Sequence, residues 1–285
     1  MKLATFDTGG TERLGIAVEG GLIDLGLAAP DLPKTMIGLI ENFAHHRARL
    51  DEIAQSTAPH YAPDAVHLKA PVPRPSKILA IGLNYADHVA ETRREPPKHQ
   101  VWFPKLPNAV NGPFDPIQIP RASAKVDYEA ELVFVIGKRC RHVSRAEAPG
   151  VVFGYCAGND VSARDWQNKT PQYTLGKGFD THAPFGPYLV TADEIADPHS
   201  LAIRSFVNGQ KRQDSNTCHL IFDIYAQIAE LTQVATLEPG DVIYTGTPGG
   251  VGMAMDPPQF LKPGDVVRVE IERVGTIEAT MVAEG

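Results

Sequence analysis

The chain has 285 residues, 43% hydrophobic and 21% charged, an ordinary globular balance that allows one large core or a small domain joined to a larger one. A formal charge of −7 and a pI near 5.8 argue against a general nucleic-acid surface. No stretch approaches 18 apolar residues and MKLATFDTGG turns polar early, so neither a membrane span nor a secretory signal is expected, and a cytoplasmic setting is.

In chain order, residues 1–26 alternate short apolar runs with turn clusters and predict a small strand meander. Residues 35–57 carry apolar side chains at helical spacing, with His45 and His46 expected on the helix surface. The Pro- and Ala-rich stretch 58–76 reads as a connector, placing a boundary near residue 70: a small unit over 1–70 and a larger one over 71–285. Beyond it, Lys77–Ile81 predicts a buried strand, 86–94 a helix, and Asp127–Ile136, Val151–Ala157 and Leu201–Val207 further strands. Residues 217–234 predict an amphipathic helix entered through Asp214, Ser215 and Asn216. Two Pro-Gly-Asp turns, at 238–242 and 262–266, introduce the last strands. Cys140, Cys156 and Cys218 are widely spaced without a C-x-x-C pair and are expected as buried free thiols. The order of elements predicts an α+β, mostly β fold.

Chemistry concentrates in five segments. In VDYEAELVFVIGK (126–138), strand alternation puts Glu129 and Glu131 on one face where burial begins. Two carboxylates about 4 Å apart repel by several kcal/mol and need a shared proton, a cationic side chain or a divalent ion; otherwise they are solvated surface acids. In CAGNDVSARDWQ (156–167), Asp160 falls where a strand gives way to a helix, either as an inward ligand or as a helix cap. If Asp160 meets the two glutamates, the all-oxygen set suits Mg2+, with Mn2+ or Ca2+ as substitutes, and does not suit zinc. In IGLNYADHVAE (81–91), His88 and Glu91 stand three apart on a helix, the spacing of a base and its orienting carboxylate, though also of many solvated faces. Lys177 lies between glycines in TLGKGFDTHAPFGP (174–187), where it can oppose developing negative charge or simply lie exposed. The run YTGTPGGVGMA (244–254) lacks the GK[ST] ending of a phosphate loop; it suits close backbone approach to a ligand, with Thr247 offering a hydroxyl.

Taken in order, IGLNYADHVAE, DYEAELVFVIGK, NDVSARDWQ, GKGFDTHAPFGP and TGTPGGVG resemble the fumarylacetoacetate hydrolase family over roughly residues 70–285. The resemblance implies a rolled, mixed β-sheet core behind a small N-terminal meander and helix, and a homodimer. It implies that Glu129, Glu131 and Asp160 bind the divalent metal and that His88 and Glu91 form a catalytic dyad on a segment able to order as a lid. Arg164, Gln167, Lys177 and Thr247 then contact or polarise a small oxo-acid substrate, and 99–116, with Trp102, Phe103 and Lys105, shapes the pocket.

The leading expectation is hydrolysis of a C–C bond in an acylpyruvate-like 2,4-dioxo acid. The rival is decarboxylation or keto–enol isomerisation of a 2-oxo dicarboxylic acid such as oxaloacetate, which uses the same residues. A non-catalytic binding protein is a third reading, disfavoured by retention of His88, Glu91 and Lys177 together.

Overall fold

The computed structural model describes residues 1–91 and 95–285. An 11-stranded mixed sheet runs in the order Gly21–Asp24, Glu12–Val18, Lys2–Asp7, Ala183–Thr191, Val152–Asn159, Ala130–Ile136, Val242–Tyr244, Ile78–Gly82, Val101–Lys105, with two short strands off this path. A 5-stranded sheet follows the order Gln210–Asn216, Ala202–Val207, Val266–Ile271, Gly275–Ala283, Ile117–Ile119. The fold is therefore α+β and mostly β. The N-terminal meander is hydrogen-bonded into the large sheet, Lys2 pairing with Val190 and Leu3 with Leu189.

The Ala130–Ile136 strand is buried throughout, and its alternation explains why. Ala130, Leu132, Phe134 and Ile136 join one core with Ile228 and Leu231 of the helix Ile224–Val234 and Val269 and Ile277 of the smaller sheet. Val133 and Val135 face the opposite core, which includes Leu39, Ile40, Leu50 and Ile53 from the N-terminal helices. A polar group at the head of this strand is thus enclosed by protein on both sides.

Three departures from the sequence-based expectations have local causes. The 35–57 helix divides into Met36–Glu41 and Phe43–Ser56 at Asn42, whose amide donates to the Gly38 carbonyl and competes with the helical ladder. The helix expected over 217–234 begins only at Ile224, capped by Asp223, while Asp214–Asn216 end a strand. Asn84 is responsible: its side chain brackets the Phe222 N–H and C=O, and its backbone carbonyl accepts from Ile221 N–H. The strand expected over Asp127–Ile136 breaks at Tyr128 and Glu129, because side-chain oxygens of Asp127 and Asn159 capture their N–H groups.

The helix expected over 86–94 is present at Ala86–Glu91; positions 92–94 lie outside the described residues. Cys140 and Cys156 are buried free thiols, but Cys218 is exposed, because it sits in the turn that Asn84 holds out of the helix. Among the described residues no helix is long and apolar enough to cross a membrane.

Candidate active site

The backbone irregularity at Glu129 is what assembles the acidic site. Glu129 N–H donates to Asn159 Oδ1, and Asp160 N–H donates to the Glu129 carbonyl, so the end of one strand is tied to the end of its neighbour. Glu129, Glu131 and Asp160 are all buried, and each offers an oxygen within 4.8 Å of the others. Asp160 caps no helix: it lies between the strand Val152–Asn159 and the two-residue strand Ser162–Ala163.

Cations surround two of the three carboxylates. Lys177, at the end of the short helix Thr174–Lys177 and only 2% exposed, donates to Glu129 Oε2 at 2.6 Å and Asp160 Oδ2 at 2.7 Å. Lys105 donates to the other Asp160 oxygen. Arg164 donates from Nη1 to Glu129 Oε1 at 2.6 Å and Gln167 Oε1 at 2.9 Å, and from Nε to Asp127 Oδ2 at 2.9 Å. Burial raises the Glu129 pKa, but Lys177 and Arg164 more than offset it and hold the carboxyl at about 2. Glu131 goes the other way: burial, with Asp160 and Glu129 beside it, pushes its carboxyl well above the usual range. Its hydrogen-bond partner is Gly246 N–H at 2.6 Å, and no Lys or Arg among the described residues forms an ion pair with it.

That imbalance suits a divalent cation. A buried carboxylate with no adjacent cationic side chain, next to two more, is the environment a hard ion neutralises. Oxygens bound at about 2.0–2.6 Å from one ion lie within about 5 Å of each other, which matches the spacing of this set.

His88 enters from the helix Ala86–Glu91 and lines the cavity above Glu129. Its Nδ1 lies 3.7 Å from Glu91 Oε2, and Glu91 is anchored by Gly250 N–H at 2.9 Å and 3.0 Å from its two oxygens. Leu83, at the entry to this segment, adopts φ +57°, a conformation costly for a non-glycine residue, and faces the same cavity. The Gly-rich loop reaches both acids and helix because its backbone bends as only glycine does readily. Gly246 has φ +100°, and a Cβ there would lie 2.7 Å from Asn84 Cβ. Thr247, Arg164, Gln167, Tyr173, Phe103 and Met253 complete a cavity of about 50 Å3. The nine residues given catalytic, substrate or metal roles from the sequence converge on one place, with Phe103 lining the cavity and Lys105 bonded to Asp160. Trp102, by contrast, does not shape the pocket: it packs against the core of the helix Ile224–Val234 and donates to Gln100.

Two supports were not singled out. Asp127 accepts from Gly252 N–H at 2.8 Å, Met253 N–H at 3.0 Å and Arg164 Nε, joining the Gly-rich loop to Arg164. It shares the alternation of Glu129 and Glu131, and that was the available signal. Gln213 lies in the outwardly polar run QKRQDSN, and nothing in its sequence context marks it.

Three buried acids that could bind a divalent ion at the head of a buried strand, with His88 on a short helix above, make the kind of site that metal-dependent enzymes of small-molecule chemistry use. Residues 77–282 match the family described as Fumarylacetoacetate (FAA) hydrolase C-terminal, and the chain belongs to the fumarylacetoacetate hydrolase family. It is 43% identical over 288 residues to the mitochondrial oxaloacetate tautomerase fahd2 of Xenopus laevis, covering 99% of this chain and 90% of that one. The maleylpyruvate hydrolase of Sphingobium sp. SYK-6, solved with manganese(II) and pyruvate, superposes with a TM-score of 0.84 at 34% identity, each chain covered fully (100%). The 2-hydroxyhepta-2,4-diene-1,7-dioate isomerase of Mycobacterium marinum gives 0.79 at 32%, covering 100% of this chain and 99% of that one. The Xenopus relative also overturns one expectation: it is named as mitochondrial, so the cytoplasmic setting inferred from the polar opening segment does not stand.

Proposed function

We propose that the protein interconverts the keto and enol forms of a small 2-oxo dicarboxylic acid of the oxaloacetate type. The observation that carries this reading is the 43% identity, sustained over 99% of the chain, to a protein named as an oxaloacetate tautomerase.

Glu129, Glu131 and Asp160 would hold Mg2+, with Mn2+ or Ca2+ as substitutes, and such an ion supplies Lewis-acid polarisation of a 2-oxo group. His88, backed by Glu91, takes the proton from the carbon between the oxo group and the distal carboxylate. The C–H electron pair becomes the C=C bond, and negative charge gathers on the oxo oxygen, where the Lys177 ammonium opposes it. Protonation of that oxygen and release of the proton from His88 complete the exchange, with no atom gained or lost. Arg164 and Gln167 orient a substrate carboxylate: Arg164 Nη2 is buried at the cavity without a hydrogen-bond partner among the described residues.

The hydrolytic reading is favoured by one observation, the likeness to the maleylpyruvate hydrolase. Product analysis on 2-oxo and 2,4-dioxo acids separates the cases. Unchanged mass with altered tautomer ratio supports tautomerisation, CO2 marks decarboxylation, and two carbon fragments mark hydrolysis and overturn the proposal. A homodimer belongs to the same proposal, and light scattering on the purified protein tests it.

A further inference from the structure

Gln213 belongs to a polar edge strand, Gln210–Asn216, yet its side chain is fully buried. The pairing with Ala202–Val207 shows how. Ser205 faces Gln213 while the adjacent Phe206 faces Lys211, so Arg212 is an extra, bulged residue. A bulge changes where the next side chain points, and here the Gln213 amide meets the acidic strand and the Gly-rich loop.

Three contacts hold it. Gln213 Oε1 accepts from Ala130 N–H at 3.0 Å, and Nε2 donates to the Pro248 carbonyl at 2.8 Å and to Thr247 Oγ1 at 2.8 Å. The amide cannot be turned over. A flip would set its NH2 against the Ala130 N–H and its carbonyl against that of Pro248. Both amide hydrogens are therefore committed, and Thr247 Oγ1 is an acceptor toward Gln213. The Thr247 hydroxyl hydrogen must point elsewhere, and no described residue accepts it. Thr247 lines the cavity with His88, Lys177 and Arg164.

We infer that Gln213 is a positioning residue that aims the Thr247 hydroxyl into the cavity as a hydrogen-bond donor for an anionic oxygen of the bound oxo acid. A hydroxyl that accepts one hydrogen bond donates the next more strongly, so Gln213 also strengthens the contact it directs. The inference rests on reading this cavity as a 2-oxo acid site.

The test is calorimetric binding of oxalate, a planar dianion, to the Mg2+-loaded protein in four forms: wild type, Gln213→Leu, Thr247→Val and the double variant. Each single change is expected to weaken binding roughly tenfold, and the double change to weaken it no more than Thr247→Val alone. Equal losses from Gln213→Leu in both backgrounds, or no loss in either, overturn the inference. Thr247→Ser guards against a folding artefact. It keeps the hydroxyl and its bond from Gln213 Nε2, so it should bind oxalate as wild type does and be weakened by Gln213→Leu to the same extent. With unchanged circular dichroism spectra, that result supports the assignment, and Thr247→Ser affinity at the Thr247→Val level overturns it. Turnover plays no part in these arms. A failed tautomerase assay therefore counts against the proposed function alone, whereas wild-type protein that binds no oxalate overturns the site reading and this inference together.

Discussion

The Lys177 ammonium stands 2.7 Å from Asp160 Oδ2, a buried cation set directly against one of the carboxylates that would hold a divalent ion. It also donates to Glu129, so a single side chain compensates two of the three acids and leaves Glu131 to the Gly246 N–H. Breaking a buried pair by removing one partner costs about 3–5 kcal/mol, because the other charge stays behind. Lys177→Met is therefore expected to lower the melting temperature measured without added cation and to show a larger Mg2+-induced rise than wild type. Turnover should fall by at least about 10²-fold. Equal Mg2+ stabilisation of both proteins would mean that Lys177 does not compensate these carboxylates.

His88 and Glu91 divide one task between base and support. His88→Gln is expected to reduce kcat by about 10²–10⁴-fold while leaving substrate affinity within a few-fold of wild type. Glu91→Gln should cost less, since an amide oxygen can still accept from Gly250 N–H. Steady-state kinetics on both variants checks the order, and a larger loss from Glu91→Gln would reverse the assigned roles.

Asp127 touches no cavity space yet links three elements: its own strand end, the Gly252–Met253 backbone and Arg164. Asp127→Asn sets an amide N–H against a backbone N–H or the guanidinium. Denaturant unfolding should show a loss of about 3–5 kcal/mol, with weaker substrate binding through a loosened Arg164. Unchanged stability would show that the loop holds its position without this carboxylate.

Much of this site was legible in the sequence because its chemistry uses local patterns. Glu129 and Glu131 stand two apart near a strand, His88 and Glu91 three apart on a helix, and each pattern places its own side chains. The buried strand Ala130–Ile136 was equally readable from apolar residues on both faces. What stayed hidden depends on contacts between distant residues. Asn84 pulls Phe222 out of a helix that composition alone supports, and a bulge opposite Ser205 turns Gln213 inward from a run that reads as solvent-facing. Lys105 was placed near the pocket, but its bond to Asp160 joins residues 55 positions apart, which no local window reveals.

Burial also sets a pH dependence. His182 is fully buried; burial, together with Lys105 and Lys177 nearby, holds its imidazole at about 3 despite the Gln118 carbonyl that accepts from Nε2. Between that value and the ordinary 6.5, the unfolded chain binds a proton that the folded chain refuses. The stabilisation is complete above about pH 6.5 and declines as pH falls toward 3, by up to about 1.4 kcal/mol per pH unit. His182→Gln keeps a donor for the Gln118 carbonyl without the titration. Its stability curve should be flatter than wild type across this window, and parallel curves would contradict the account.

The central claim is a proton transfer that depends on a divalent ion held by Glu129, Glu131 and Asp160. It is tested most directly by following the ultraviolet absorbance of oxaloacetate enol with chelator-treated protein, before and after Mg2+ is added back. The account predicts that enol and keto forms equilibrate rapidly only with Mg2+ present, that no carbon fragment or CO2 forms in proportion, and that Asp160→Asn abolishes the response. Equally rapid equilibration after complete removal of divalent cations would contradict it.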